Sequence, residues 1–344
     1  MLAELATPLE RWFRRNARDL PWRRAAVRSG YAALVSEAML QQTQVPRVID
    51  AFEAFMRRFP SVAALAAADE QEVLAAWRGL GYYRRARNLH AAARMIVERF
   101  DGAVPRRAAE LRGLPGVGRY TAGAIASIVF DERTAIVDGN VARVLLRLRG
   151  ERAQPDTPAT QRWLWNEAQR LVDHAIDPGV FNEALMELGA VVCTPASPRC
   201  LACPLAQSCA ALRDGLVDRI PTPKRAAPRR TVVHHAVVAR RGERFLVVQR
   251  PETGLWSRMW QVPTVEADEM LAPGEIGRRL DVAIGRLVHR GEFVHATTHR
   301  RIHVRVYSAT SRARRGRWLT IDELESIPMS NAARRAISLA LDNQ

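Results

Sequence analysis

Four cysteines within seventeen residues are the feature that most constrains this chain. They are its only cysteines, and they follow the pattern Cys193-x6-Cys200-x2-Cys203-x5-Cys209. Four thiolates in one short loop are the ligand set of a [4Fe–4S] cluster or of a tetrahedral zinc ion. Zinc sites favour two C-x2-C pairs and only one is present, so the spacing favours iron–sulfur. Two disulfides are the alternative, but nothing at the N-terminus resembles a signal peptide, so we expect a reducing compartment.

The charge balance predicts a polyanionic partner. Lys and Arg total 52 against 36 Asp and Glu, a formal net charge of +16, and almost all of the cations are arginine. Arginine binds phosphate in a bidentate manner, so this excess predicts a nucleic acid, although a GC-rich genome also enriches arginine. No stretch approaches the ~20 apolar residues of a membrane span, so we expect no membrane partner.

A change in hydrophobic periodicity predicts two domains. Residues 1–217 repeat apolar side chains every three or four positions, which predicts an all-α domain that includes the cysteine loop 193–209. Residues 218–230 contain three prolines and five cations and predict a stiff linker. Residues 231–344 change to β-branched alternation, which predicts an α+β domain. The predicted helices are 31–44, 47–59, 71–77, 86–100, 120–130, 141–149, 161–175, 274–279 and 331–341, and the predicted strands are 231–239, 244–248, 285–293 and 301–308. A short turn at 240–243 is predicted to join the first two strands into a hairpin.

A glycine hairpin between two predicted helices is a candidate DNA contact. In residues 114–122 (LPGVGRYTA), Gly116 and Gly118 can adopt backbone conformations that other residues avoid and can let a phosphate approach the main chain. Any corner between helices uses glycine, but the full pattern with Thr121 is more specific. It resembles the helix–hairpin–helix of DNA repair glycosylases, which bind the DNA backbone without reading bases.

Further motifs extend this resemblance over the first 220 residues. In order, they are 35–45 (VSEAMLQQTQV), 79–83 (GLGYY), 85–90 (RARNLH), 137–144 (VDGNVARV) and 181–189 (FNEALMELG). With the cysteine loop they resemble the MutY family of adenine DNA glycosylases, in the endonuclease III superfamily. The resemblance implies a [4Fe–4S] cluster on the four cysteines and double-stranded DNA with adenine opposite 8-oxoguanine or guanine as the partner. It also implies a monomeric, cytoplasmic, nucleoid-associated enzyme of base excision repair.

Two carboxyl groups are predicted to carry the chemistry. Removing adenine requires protonating the base and stabilising the positive sugar, hence one neutral and one ionised carboxyl group. Glu37 shares a helix face with Ala33, Leu34 and Leu40, and burial there would raise its pKa, although a solvated helical glutamate is the common alternative. Asp138 precedes an apolar helix, where it would also be a preferred N-cap.

The resemblance assigns roles to these residues and their neighbours. Glu37 would protonate adenine N7 and then help to activate water, and Asp138 would support the oxocarbenium ion. Asn140 and Tyr120 would position Asp138 and the water. Bifunctional relatives carry lysine where this chain has Tyr120, and a phenol forms no Schiff base, so we predict a monofunctional glycosylase. A glycosylase/lyase for oxidised pyrimidines and a non-catalytic DNA-binding module are the alternative functions.

The resemblance also implies residues that bind the extruded adenine and the DNA. Glu183 would hydrogen-bond the edge of adenine, and Arg18, Trp22 and Leu40 would line the same pocket. Gln42 and Tyr82 would enter the duplex near the opposite base. A solvated arginine face remains the alternative for the arginines among the DNA-backbone candidates, which are Gly116, Gly118, Thr121, Arg85, Arg87 and Arg143.

The C-terminal domain resembles a Nudix fold at residues 254–263 (GLWSRMWQVP). The stretch that would carry magnesium-binding glutamates, 274–281 (GEIGRRLD), lacks a carboxylate cluster, so we predict recognition without hydrolysis. The family reads 8-oxoguanine through a Phe-Ser-His loop, and the aligned residues here are Thr297, Thr298 and His299. Thr298 and His299 keep the polar groups, whereas Thr297 lacks the aromatic ring, whose stacking is worth about 1–3 kcal/mol. We therefore predict that lesion recognition persists with altered geometry or weaker discrimination.

Overall fold

The computed structural model describes residues 3–223 and 229–342, so residues 224–228 of the predicted linker lie outside the described part. The chain forms two compact units. The first contains Met1–Ala67 and Arg87–Arg225, and the second contains Ala68–Ala86 and Ala226–Gln344. The segment Ala68–Ala86, which was predicted to be part of the first domain, therefore belongs to the second unit. In the described ranges, no helix is long and apolar enough to cross a membrane.

The first unit is helical, as predicted. Helix α5 and the first turn of α6 fall in the second unit, and the other helices of this group belong to the first. The helices are α1 Ala3–Asn16, α2 Gly30–Leu40, α3 Val45–Arg58, α4 Val62–Ala67, α5 Glu70–Ala76, α6 Arg84–Phe100, α7 Ala108–Leu111, α8 Arg119–Phe130, α9 Gly139–Arg149, α10 Pro158–Val172, α11 Pro178–Val191 and α12 Ala210–Arg213.

Helix α11 lies in the core of the first unit and packs against α1, α8 and α9. Its side chains Phe181, Leu185 and Leu188 are buried. Periodicity did not predict this helix, because a helix that is apolar on nearly every side has no broad polar face to mark the period. Helix α1 was also missed, although Leu5 and Leu9 mark its buried side at four-residue spacing.

Two predicted helix ends were wrong, and one of them is that of the helix predicted over 161–175, which ends at Val172. The helix predicted over 31–44 ends at Leu40, and Gln42 has φ +56°, which no α-helix accommodates. Val45 then begins α3. The chain therefore turns at Gln42, whose side chain is exposed.

The second unit contains a mixed sheet, and its α+β class is as predicted. Strand order is β3-β2-β1-β6-β5, with β4 paired to β1 and β7 paired to β2. Strands β1 and β6 are parallel, from Arg230↔Arg300 to Arg240↔Thr310, and the other pairs are antiparallel. The elements are β1 Arg230–Arg241, β2 Arg244–Gln249, β3 Trp260–Gln261, β4 Thr264–Ala267, α13 Pro273–Arg279, β5 Val288–Ala296, β6 Arg300–Thr310, β7 Arg317–Leu319, α14 Ile321–Ser326 and α15 Asn331–Asp342.

The predicted hairpin of β1 and β2 is confirmed, with Arg241 opposite Arg244. Strands β3, β4 and β7 and helix α14 were not predicted, because segments of two to six residues are too short to show a period. Helix α15 packs its apolar side against β1, β5 and β6 and covers one face of the sheet.

Candidate active site

The first unit contains a cavity of about 590 Å³. Helices α2, α8, α9 and α11 and the segment before α2 form its walls. Predicted site residues from widely separated parts of the sequence meet there, namely Arg18, Trp22, Glu37, Leu40, Gln42, Tyr120, Asp138, Asn140 and Glu183.

Glu37 faces this cavity from the last turns of α2. Burial raises the pKa of its carboxyl group to about 7, and the charges of Asp138 and Glu183 push the pKa in the same direction. A hydrogen bond with Tyr120 and the charge of Arg23 oppose this rise. The shift has the direction that the apolar flank of Glu37 predicts, and near pH 7 roughly half of the carboxyl groups are protonated.

Asp138 is the N-cap of α9. Its Oδ1 accepts a hydrogen bond from the Val141 amide at 2.7 Å, and its Oδ2 accepts one from Asn140 Nδ2 at 3.1 Å. Burial raises the pKa of Asp138, and these donors together with the charge of Arg143 limit the rise. The N-cap prediction is therefore confirmed, and the same donors stabilise the ionised carboxylate.

Tyr120 lies in the first turn of α8, close enough to Glu37 and Asp138 for the charge of each carboxyl group to affect its pKa. Its hydroxyl group hydrogen-bonds Glu37, and its oxygen lies 3.0 Å from Met186 Sδ. Burial and the nearby charges of Glu37 and Asp138 raise the pKa of Tyr120 well above its ordinary value, so the side chain stays a neutral phenol. A neutral phenol can orient groups by hydrogen bonding but offers no amine for a Schiff base.

Two buried glutamates on α11 meet three arginines at the wall of the cavity. Arg18 binds Glu187 in a bidentate manner at 2.7 and 2.8 Å. Arg23 bridges Glu183 at 2.9 Å and Glu187 at 3.1 Å, and Arg28 binds the other oxygen of Glu183 at 2.8 Å. Burial alone would raise the pKa of Glu187, but Arg18 and Arg23 outweigh it and lower that pKa. The wall is thus a network of ion pairs in which three arginines hold two glutamates.

Sequence reasoning missed three members of this network, Arg23, Arg28 and Glu187. The available signal was the i,i+4 pair of glutamates within an otherwise apolar helix, because buried carboxylates require partners. Both oxygens of Glu183 already accept a hydrogen bond from arginine. An adenine edge would have to use the remaining lone pairs.

All four cysteines are free, which does not support the disulfide alternative. The buried Arg147, which was not predicted, donates to Cys193 Sγ at 3.4 Å and to the Thr194 carbonyl at 2.7 Å. Burial and then the neighbouring thiols raise the pKa of Cys203 to about 11, so a thiolate at Cys203 would need a cation beside it. No three His, Cys, Asp or Glu side chains in residues 3–223 and 229–342 are arranged to hold a metal ion. The chemistry of the donor set nevertheless suits an iron–sulfur cluster.

Only one of the two hairpin glycines has an unusual backbone. Gly116 has φ +77°, and a Cβ there would lie 2.6 Å from Asn88 Cβ. Gly118 has φ −82°, so the conformational reason predicted for it is wrong, and the space around it is open at the N-terminus of α8. Thr121 is buried, so any contact of Thr121 with DNA would have to use its backbone.

Two of the three arginines predicted as phosphate contacts are buried. Arg85 donates to two carbonyl groups of the turn before α6, at 3.0 and 3.1 Å, and its burial lowers its pKa to about 10. Arg143 donates to Asn140 Oδ1 at 2.8 Å and to the Cys193 carbonyl at 2.7 Å. Both side chains therefore stabilise loops, which corrects the prediction. Arg87 is partly exposed and stays a predicted contact.

The predicted lesion-reading residues form the turn between β5 and β6 in the second unit. Thr297 Oγ1 accepts a hydrogen bond from the Arg300 amide at 3.1 Å, so Thr297 stabilises the turn. Thr298 and His299 are exposed, and Thr298 Oγ1 lies 2.7 Å from the hydroxyl oxygen of Tyr82. Tyr82 belongs to the same unit, is 49% exposed and has φ +47°. Two predicted DNA contacts therefore share one hydrogen bond.

Helix α13 contains most of the 274–281 stretch, which was predicted to lack a cluster of magnesium-binding carboxylates. Its one carboxylate, Glu275, pairs with Arg279 at 2.5 Å. A single carboxylate already paired with arginine is a poor ligand set for magnesium.

Known protein families match both the helical region and the α+β region of the chain. The HhH-GPD superfamily base excision DNA repair protein family matches residues 35–170, and the NUDIX domain family matches residues 234–339. The chain is 38% identical to adenine DNA glycosylase of Mus musculus, over 97% of this chain and 77% of that protein. It is 38% identical to adenine DNA glycosylase of Homo sapiens, over 94% of this chain and 71% of that protein.

Solved structures show the same fold for the helical part. A thermostable thymine-DNA glycosylase superposes with a TM-score of 0.56 at 26% identity, covering 62% of this chain and 97% of that one. Endonuclease III in a non-covalent DNA complex superposes with a TM-score of 0.51 at 23% identity, covering 62% and 95%. The cavity, the hairpin and the similarity over most of the length of its relatives lead to one conclusion: the chain belongs to the adenine DNA glycosylases, enzymes of base excision repair that hydrolyse N-glycosidic bonds.

Proposed function

We propose that this enzyme removes adenine paired with 8-oxoguanine, and with guanine, from double-stranded DNA and leaves an intact abasic site. The observation that carries the proposal is one cavity lined by two carboxyl groups in different environments. The pKa of Glu37 is about 7, whereas Asp138 accepts hydrogen bonds from the N-terminus of α9. This pairing suits a general acid and an anion that acts on the sugar.

The proposed reaction begins when Glu37 donates its proton to N7 of adenine. The bond between N9 and C1′ then breaks, and its electron pair leaves with the purine. Asp138 stabilises the positive sugar, since its carboxylate is already held by Val141 and Asn140. Water adds to C1′ and gives its proton to Glu37, which restores the acid for the next turnover. Tyr120 orients Glu37 throughout by its hydrogen bond.

Base binding is proposed for the walls of the same cavity. Glu183 would accept a hydrogen bond from the edge of adenine, while Arg23 and Arg28 hold the Glu183 carboxylate in place. Arg18 and Trp22 would line the pocket beside it. A rigid charge network suits this task, because adenine must be held in a single orientation for its N7 to meet the acid.

Base extrusion and lesion recognition are proposed for the exposed turns. Gln42 and Tyr82 have positive φ angles, which are uncommon for such residues and hold both side chains on sharp turns. We propose that they enter the duplex beside the base opposite adenine. Thr298 and His299 would read 8-oxoguanine from the turn between β5 and β6.

We propose that Cys193, Cys200, Cys203 and Cys209 hold a [4Fe–4S] cluster, which would stabilise the 193–209 loop. Arg147 would stay beside Cys193 and compensate part of the negative charge of the thiolates. Purified protein should contain iron and acid-labile sulfide in equal amounts, and Cys203→Ser should lose both. Stoichiometric zinc without sulfide would contradict this assignment.

The test of the function is excision from three duplexes, with adenine opposite 8-oxoguanine, guanine or thymine. We expect excision from the first two, and strand breaks only after alkali treatment. Excision from the thymine duplex at the same rate would contradict the proposed specificity. Strand cleavage that borohydride traps as a covalent adduct would contradict the monofunctional mechanism.

A further inference from the structure

One end of the sheet in the second unit carries a dense group of exposed arginines. Because β1 and β6 are parallel and in register from Arg230↔Arg300 to Arg240↔Thr310, the β1–β2 turn and the β6–β7 loop leave the sheet at the same end. We call their cationic side chains the arginine edge. Its six members are all exposed, and they are Arg240, Arg241, Arg244, Arg312, Arg314 and Arg315.

The β6–β7 loop has a defined shape. Ser311 Oγ donates to the Ala283 carbonyl at 2.5 Å and accepts from the Ala313 amide at 3.0 Å. Gly316 has φ +95°, and a Cβ there would lie 2.8 Å from the Val247 carbonyl oxygen. Hydrogen bonds hold the loop before Arg314, at Ser311 and Ala313, and the pairing of Arg317 with Val247 holds it after Arg315. The backbone that carries Arg314 and Arg315 is therefore held on both sides.

Arg241 links the two loops of the edge. Its guanidinium lies 4.4 Å from the centre of the Trp318 ring, and its Nη2 reaches the Ser311 carbonyl at 3.5 Å. The β1–β2 turn and the β6–β7 loop consequently form one continuous surface. A surface of several arginines on two neighbouring loops suits an extended anionic partner better than a small ion.

Little negative charge balances this surface. Glu323 pairs with Arg244 at 3.2 Å, and Glu243 is the acidic residue of the β1–β2 turn. Arg312, Arg314 and Arg315 make no hydrogen bond or ion pair with any described residue. Three guanidinium groups on an anchored loop are thus available to a partner.

We propose that the arginine edge binds the phosphate backbone of duplex DNA outside the mispair. Guanidinium groups bind phosphate in a bidentate manner, and duplex DNA carries one negative charge per about 1.7 Å of its axis. The 297–299 turn lies at the opposite end of β6, ten residues or about 33 Å away. The edge therefore contacts DNA separately from the predicted lesion reader. This inference rests on the proposed function in that it takes DNA as the substrate.

The test compares Arg314→Glu/Arg315→Glu with Arg11→Glu/Arg15→Glu. The control arginines are also exposed and lie on α1, and their substitution changes the net charge by the same amount. Affinity is measured for a long undamaged duplex over a range of salt concentrations. Single-turnover excision is measured on a short mispair duplex that covers only the target site.

For the edge variant we expect the slope of log affinity against log salt to become shallower by about 2. Affinity for the long duplex at low salt should fall roughly ten-fold or more. Excision from the short duplex should be unchanged, and the control variant should keep the wild-type slope. Arg314→Gln/Arg315→Gln should reproduce the change in slope with an unaltered melting temperature, which separates it from misfolding.

An unchanged slope in the edge variants would overturn the proposal, and so would an equal loss in the control variant. Loss of affinity for a polyglutamate peptide with wild-type DNA binding would assign the edge to an acidic protein segment and would also overturn it. The proposed function fails by a different result, namely that the wild-type protein excises no adenine. The change in slope can be observed in either case, so the two failures are distinguishable.

Discussion

The cavity of the first unit and the 297–299 turn of the second are proposed to contact the two bases of one mispair, yet they are built in opposite ways. In the cavity, Glu183 and Glu187 are nearly fully buried and paired with arginine. In the turn, Thr298 and His299 are exposed, and one hydrogen bond to Tyr82 joins the turn to a neighbouring segment. Acid catalysis needs burial because desolvation is the largest cause of the raised pKa of Glu37, whereas residues that recognise a base in duplex DNA must stay accessible.

The difference predicts where substitutions are tolerated. A buried charge that loses its partner strongly destabilises the fold, whereas the loss of one hydrogen bond of an exposed side chain costs about 1 kcal/mol of stability. The departure from the family motif at Thr297 falls in the exposed turn, where threonine makes a hydrogen bond that shapes the turn. We therefore expect large effects in the cavity and small ones in the turn.

The largest effect is expected for Glu37→Gln, which should lower single-turnover excision by about 10²–10⁴-fold, because glutamine cannot donate the proton. The wild-type rate should be constant below about pH 7 and fall above it, because the pKa of Glu37 is about 7 and the acid form is lost. Affinity for mispair DNA serves as the control and should be unchanged. A variant that keeps more than about a tenth of the rate would remove Glu37 from the mechanism.

Asp138→Asn should lower excision by about 10²–10³-fold, since the anion beside the sugar is lost. Asparagine caps helices about as well as aspartate, so the melting temperature should hardly change. Asp177→Asn is the matched control, because Asp177 caps α11 by accepting from the Val180 amide at 2.9 Å and does not line the cavity. Equal losses of activity in both variants would show that Asp138 acts only through the helix.

The same Glu37→Gln change should stabilise the protein above pH 7 by up to about 3 kcal/mol. The folded pKa of about 7 exceeds the ordinary value of 4.5, so ionised Glu37 opposes folding. The gain should be small near pH 5, grow between pH 4.5 and pH 7, and stay constant above. Urea unfolding at pH 5 and pH 8 measures it.

Glu187→Gln provides the contrast. Its pKa is lowered in the folded protein, so the carboxylate stabilises the fold above the unfolded pKa, and this contribution is lost as the pH falls. The variant should therefore be less stable at pH 8. If Glu37→Gln and Glu187→Gln changed the free energy of unfolding at pH 8 in the same direction, the proposed contrast between the buried carboxyl group of Glu37 and the arginine-paired carboxylate of Glu187 would be wrong.

The smallest effect is expected for Thr298→Val, which removes the hydrogen bond to Tyr82. Discrimination between adenine opposite 8-oxoguanine and adenine opposite guanine should weaken several-fold, equivalent to about 1 kcal/mol. Tyr82→Phe should have a similar effect, and the double variant should lose little more than either single one. Additive losses would show that the two side chains act independently on bound DNA.

Several features were predicted correctly because neighbouring residues carry their signal. The helical and α+β halves, the hairpin of β1 and β2, and the N-cap role of Asp138 follow from periodicity and capping rules that act within a few residues. The raised pKa of Glu37 also had the expected direction, because its apolar flank lies on its own helix.

Two of the predictions that failed concern burial. Arg85 and Arg143 were predicted as phosphate contacts, but each is buried and donates to carbonyl groups. An arginine on a helix has the same local pattern whether it faces solvent or a loop packed against it. Only the position of that loop distinguishes the two cases.

The cysteine loop and the glycine hairpin were recognisable from residue types at short spacings, because covalent geometry keeps such residues close in any fold. The roles proposed for Glu37, Asp138 and Glu183 came from the resemblance to a family. Their electrostatic partners were not recognisable. Arg23 and Glu183 lie 160 positions apart and meet through the packing of α11 against the N-terminal segment. A pKa or an ion pair depends on distance and desolvation in three dimensions, and these exist only after the chain has folded.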